Sequence, residues 1–174
     1  MKAKHVAYIG ILAGVVFAGG WVFYYAGHLL PLPGGKFLTM TPYLAFAMSM
    51  VLDRVRSPWT LTMVGVAMGA IAAMFTPLMS LAIVTSGIAA DLTARIVPGD
   101  PNAPARRYVA AAAYPFWGFW AFTLISMYLT RNPAYEQLRP VHLMGVALFV
   151  IAASSAGALL GAHFARRIRS GWIE

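Results

Sequence analysis

The chain has 174 residues, 60% of them hydrophobic and 10% charged, with mean hydropathy +0.71. A water-soluble domain is nearer half apolar and a quarter charged, so this composition excludes an ordinary soluble globule and a disordered tail alike. The net charge of +8 raises nucleic acid as a partner, but the basic residues cluster between apolar runs and form no continuous stripe, which removes that reading. Cysteine is absent, and with it disulfides, thiolate metal sites and cysteine nucleophiles.

A membrane-spanning helix needs about 20 apolar residues, and charge-free runs mark where such helices lie. Met1-Lys2-Ala3-Lys4 precedes a first span over 6–27, too long an apolar run for a cleaved signal peptide and read as a retained helix. The turn-rich LPLPGGK at Leu30–Lys36 leads to a short second span, 37–52, which contains Pro42 and ends at Asp53-Arg54-Val55-Arg56. No charge occurs from Trp59 to Ala90, a stretch too long for one helix, and Phe75-Thr76-Pro77 supplies a turn inside it. The expectation is a helical hairpin with spans over 59–74 and 77–97. Proline-rich PGDPNAPARR at Pro98–Arg107 cannot continue a helix. A fifth span covers 108–129, interrupted at Pro115, and a sixth covers 141–165 before Arg166-Arg167-Ile168-Arg169. The fold class is therefore an all-α polytopic membrane protein, one domain of six transmembrane helices.

Six spans put both termini on one side, and the positive-inside rule assigns that side to the cytoplasm. Lys2, Lys4, Arg54, Arg56, Arg95, Arg106, Arg107, Arg166, Arg167 and Arg169 then face inward, and Lys36, Arg131 and Arg139 face outward. An odd number of spans would carry the Arg166–Arg169 cluster outside, against the rule. The basic surplus is an address: plasma membrane, multi-pass, N-in and C-in, with lipid as the surrounding partner.

Catalytic motifs are missing. Gly34-Gly35-Lys36-Phe37 resembles a phosphate-binding loop but lacks the earlier glycine and the Ser/Thr after the lysine. The histidines lie on different segments, and His28 with His142 at the outer side make too few ligands for a metal. Asp91 is the one acid within a span, with Arg95 at i+4 positioned for a local ion pair. That leaves no titratable relay for a coupled carrier and no charge ring for a pore. Small residues recur at Gly10, Gly14 and Ala18 in the first span, at Gly65 and Gly69 in the third, and at Gly157 and Gly161 in the sixth. Such faces let helices approach closely in lipid. Internal packing is expected for the third span; for the first and sixth, contact with another membrane subunit stands beside it. Aromatic residues crowd the outer half: Trp21, Tyr24, Tyr25 and His28, then Tyr43, Trp117, Trp120, Tyr128 and Tyr135. An interfacial belt accounts for some of them. Their company with Lys36, Asn132, Glu136 and His142 describes a small-molecule pocket.

The six-helix plan, the small-residue face of the first span and LPLPGGK before a short second helix resemble the substrate-binding S component of an energy-coupling factor (ECF) transporter. The glycine-bearing hairpin, GIAADLTARI closing the fourth span, the fifth-span run AAAYPFWGFWAFTLISMYL and the ending GALLGAHFARRIRSG extend the resemblance over nearly the whole chain. It implies a capture subunit for a vitamin, vitamin precursor or related micronutrient, not an enzyme, with no cofactor. It also implies docking on a transmembrane T component that carries two ABC ATPases, through Gly10, Gly14 and Ala18. The pocket it implies includes Lys36, Trp120, Tyr128, Asn132 and His142. The fourth span lacks the outer acid associated with cationic thiamine-like ligands, and the N-terminus lacks the early histidine of the cobalt- and nickel-specific relatives, so a neutral or anionic heterocycle is expected. A stand-alone solute carrier or channel is the alternative; a membrane enzyme or a tryptophan-rich receptor is a third reading.

Overall fold

The structure, a computed structural model, describes residues 3–29, 35–100, 103–136 and 139–170. Six long helices carry the described fold: α1 Ala3–Ala26, α2 Gly35–Arg54, α3 Thr60–Ala73, α4 Pro77–Ile96, α5 Pro104–Leu124 and α7 Pro140–Ser170. A 3-10 turn (Gly27–Leu29) follows α1, a π-helical segment (Ile125–Leu129) extends α5, and a single turn, α6 (Pro133–Glu136), precedes α7. Among the described residues, four stretches are long and apolar enough to cross a membrane: Val6–Leu29, Pro77–Ile96, Pro104–Leu129 and Pro140–Ile168. Helix α3 is shorter but apolar. The more polar α2 meets α1, α5 and α7, and a helix enclosed by other helices needs no lipid-compatible surface all round.

Local chemistry explains the boundaries. Thr76 caps α4, its hydroxyl accepting from the Met79 N–H at 3.2 Å, and Pro77 occupies the first turn, where a missing N–H costs nothing. The same preference makes Pro104 the start of α5, so that helix takes in Arg106 and Arg107 instead of starting at Tyr108. The expected interruption at Pro115 is absent: α5 runs straight through it, as α2 runs through Pro42. Neighbouring helices and local readjustment accommodate such prolines in membrane bundles.

Five helices close a ring: α1 packs on α2, α2 on α5, α5 on α4, α4 on α3, and α3 back on α1. Helix α7 lies outside that ring against α2 and α5. Gly157 and Gly161 make this docking possible. A Cβ at Gly157 would overlap the Pro42 carbonyl, and one at Gly161 would stand 2.5 Å from the Phe46 carbonyl oxygen. The Ser49 hydroxyl donates to the Ala158 carbonyl at 3.1 Å beside them. The α7 small-residue face is thus occupied by α2 of the same chain, which corrects its reading as a surface for another subunit. Gly65 and Gly87 do likewise between α3 and α4.

One end of the ring is solid. Val51, Leu61, Val64, Ala90 and Ala111 belong to its packed core. This is also the basic end, where Arg54 and Arg95 finish α2 and α4, Arg106 and Arg107 begin α5, and Arg166 and Arg167 follow α7's last apolar turn. Arg107 pairs with Asp53 at 3.0 Å, and the Arg106 guanidinium donates to the Ala94 carbonyl at 2.6 Å. The expected Asp91–Arg95 pair is replaced by two separate contacts. Buried Asp91 accepts from the Thr62 N–H at 2.8 Å and from its hydroxyl at 2.7 Å, while Arg95 stacks over the Trp59 ring at 3.7 Å. The cause is the start of α3. Trp59 turns the chain left-handed (φ 66) with no side-chain cap, so an orphan amide of the first turn finds its acceptor on α4.

Candidate functional site

At the opposite end the ring is hollow. A cavity of about 800 Å³ is lined by the second half of α1, the first half of α2, the turn joining α3 to α4, the first half of α4 and the end of α5. That volume lies within the usual range for small-molecule sites. Its walls are mainly apolar and aromatic: Phe17, Trp21, Phe37, Met40, Met68, Phe75, Met79 and Phe122. Trp21 and Phe75 stand with ring centroids 5.5 Å apart, and Phe17 stacks on Phe75 at 6.1 Å, so α1 and the α3–α4 turn share one aromatic wall.

Polar groups collect on one side of the mouth. Gly27 lets the end of α1 and the start of α2 meet: a Cβ there would overlap the Lys36 backbone. The Thr39 hydroxyl fastens the same junction, donating to the Phe23 carbonyl at 2.7 Å. This places Lys36 beside Tyr24, with Nζ 3.4 Å from the phenol oxygen and 5.0 Å from the ring centre. His28 Nδ1 lies 3.1 Å from the Tyr24 carbonyl oxygen. A carbonyl only accepts, so Nδ1 carries the proton of this bond. Across the mouth the π-helical segment brings Ser126 and Thr130 to the lining. Arg131 (φ 46) then reverses the chain, and the Asn132 N–H donates to the Ser126 carbonyl at 2.9 Å, fixing Asn132 at the rim. Tyr135 is 7% exposed and packs edge-on against Phe122. Burial first, and the Tyr24 phenol second, push the Tyr135 hydroxyl above the ordinary phenol range, so it stays a neutral donor.

The residues expected from sequence divide unevenly. His28, Lys36, Asn132 and Tyr135 line the cavity. Tyr25 does not: it is 63% exposed and stacks on His28 from outside, its neighbour Tyr24 taking the inward position about 100° around the helix. Trp120 follows the inward-facing Gly118 by two residues, about 200° around α5. It borders instead a shallow, mainly apolar groove between α4 and α5, along with Leu81, Thr85 and Trp117. Tyr128 is exposed on the outer side of the bundle. His142 sits on α7, outside the ring, and is exposed. The Glu136 side chain and residues 30–34 of LPLPGGK lie outside the described residues.

Sequence reasoning missed Phe75, Met79, Ser86 and Tyr114 in the lining. No polar signal marks the first two. The hairpin turn at Phe75-Thr76-Pro77 was legible, but its place over the cavity follows from α3 closing the ring on α1. Tyr114 is buried in the cavity wall, and its hydroxyl has no hydrogen-bond partner among the described residues.

Fold and site together define a small helical membrane protein with a ligand-sized cavity at one end and a packed basic end opposite. A crystal structure of an S component of an ECF transporter shares this fold: TM-score 0.63 over 99% of this chain and 85% of that one, at 13% identity. The resemblance carried by the six-helix plan is therefore matched in three dimensions. No protein-family model matches the sequence, and comparison with curated proteins gives no match.

Proposed function

We propose that this protein is the substrate-capture subunit of an ECF-type importer, binding a micronutrient such as a vitamin or vitamin precursor in the ring cavity. The observation that carries the reading is the cavity itself, hollow at one end of a five-helix ring and sealed at the other by a packed core, within the fold of an S component. By the positive-inside rule the basic end and both termini face the cytoplasm of a plasma-membrane protein, and the cavity opens outward. A transmembrane T component with two ABC ATPases then supplies the energy, since Asp91, the titratable acid within the bundle, is held by Thr62. Helix α1 offers the docking face. Nothing lies within 4 Å of a Cβ at Gly10 or Gly14, and Ala18 is exposed beside Ile11 and Val15. The test is purification of the tagged chain from its native membrane in mild detergent, with mass spectrometry of what is retained. A polytopic partner with two ATPases and a bound small molecule is the expected result. A lone chain that moves solute across liposomes without ATPases would establish the stand-alone carrier instead.

A further inference from the structure

The charge distribution around the cavity narrows the ligand. Among the described residues Lys36 is the single charged side chain in the lining. Its ammonium is half-buried beside Tyr24 and, among the described residues, has no carboxylate within ion-pair distance; the ion pair among those residues, Arg107–Asp53, lies at the far end of the bundle. Asp91 is likewise at the far end, committed to Thr62. A half-buried cation with no counter-ion among the described residues, at the mouth of a mainly apolar chamber, is held at an electrostatic cost that an anionic ligand group relieves. One lysine balances one negative charge. The phenols of Tyr24 and Tyr135, in the same lining, suit the several lone pairs of a carboxylate. Beyond the mouth, the Trp21–Phe75–Phe17 wall offers flat apolar surface for a ring.

We propose that the cavity selects a monoanionic small molecule, with its carboxylate at Lys36 and an aromatic or heteroaromatic body against Trp21 and Phe75. The proposal rests on the capture reading of the same cavity and adds the charge and shape of what is captured.

The test uses three probes with one body and three heads: 1-naphthaleneacetate, its neutral amide, and the cationic 1-naphthylmethylamine. Binding is read as the shift in melting temperature of the purified full chain in detergent, at probe concentrations up to the millimolar range. The carboxylate is expected to bind most tightly and the amine least. Lys36→Met should weaken the carboxylate about tenfold and leave the amide unchanged, while Lys36→Arg keeps the order. Trp21→Ala should weaken carboxylate and amide alike. Gly118→Leu, whose added atoms start 3.1 Å from Phe37 and 3.3 Å from Ser86, should block binding of both. Equal binding of the three heads, abolished by Gly118→Leu, would overturn the anion preference and leave capture standing. A carboxylate advantage that survives Lys36→Met would overturn the role of Lys36, and no shift with any probe would overturn the proposal. Recovery of the T component and ATPases tests the capture role separately.

Discussion

Two glycine substitutions separate packing inside the bundle from contact outside it. Gly14→Leu adds a side chain where nothing lies within 4 Å, so the free protein should change by no more than about 1 kcal/mol, the scale of helix propensity alone. Gly157→Leu meets the Pro42 carbonyl, whose carbon would lie 2.9 Å from the new Cβ. Ordinary contact begins near 3.4 Å, so α7 must move off α2 along a face that also holds the Ser49–Ala158 hydrogen bond at 3.1 Å. Overpacking of this kind costs about 1–3 kcal/mol and loss of the hydrogen bond about 1 more, giving roughly 3 kcal/mol in all. Thermal unfolding in detergent measures the first effect, and size-exclusion chromatography with the T component and ATPases measures assembly. Gly14→Leu should unfold like the wild type, bind ligand and fail to assemble; Gly157→Leu should melt well below the wild type. If Gly14→Leu assembles normally, α1 is not the docking face. If Gly157→Leu is as stable as the parent, the α2–α7 contact has been misjudged.

Asp91→Ala removes both hydrogen bonds to Thr62 and leaves a helix-start amide without an acceptor, a loss of about 3 kcal/mol by chemical denaturation; Asp91→Asn, which keeps an acceptor oxygen, should lose less. Tyr114→Phe deletes a buried hydroxyl with no described partner, so the ligand-free protein should melt at the same temperature or higher. Because the Tyr135 phenol titrates above its unfolded value near 10, its contribution to stability is complete below about pH 10 and lost as pH rises through the folded value. Tyr135→Phe should flatten that alkaline loss in a pH series of melting temperatures.

Much of this protein was legible one residue at a time. Hydropathy placed apolar helices, Phe75-Thr76-Pro77 marked the hairpin turn, and the grouping of arginines at one end followed from alternating direction, because a charge in lipid is costly wherever the chain places it. Lys36, His28, Asn132 and Tyr135 were legible as site residues because a polar group next to aromatic rings at a helix end is unusual in any packing. Tyr25, Trp120, Tyr128 and His142 share that composition, and the sequence could not separate them from the others. Their exclusion depends on which side of a helix faces the hollow, a rotation of one or two residues set by the neighbours. It also depends on α7 lying outside the ring, a consequence of Gly157 and Gly161 fitting against Pro42 and Phe46. Equally spaced glycines read alike in sequence, yet those of α1 are open and those of α7 are filled. Asp91 shows the same limit at the basic end, where an i+4 arginine was outcompeted by a backbone amide that only the α3–α4 contact could bring near. Period and charge are properties of the chain; which faces meet is decided by close packing among helices distant in sequence, and the cavity is what that packing leaves open.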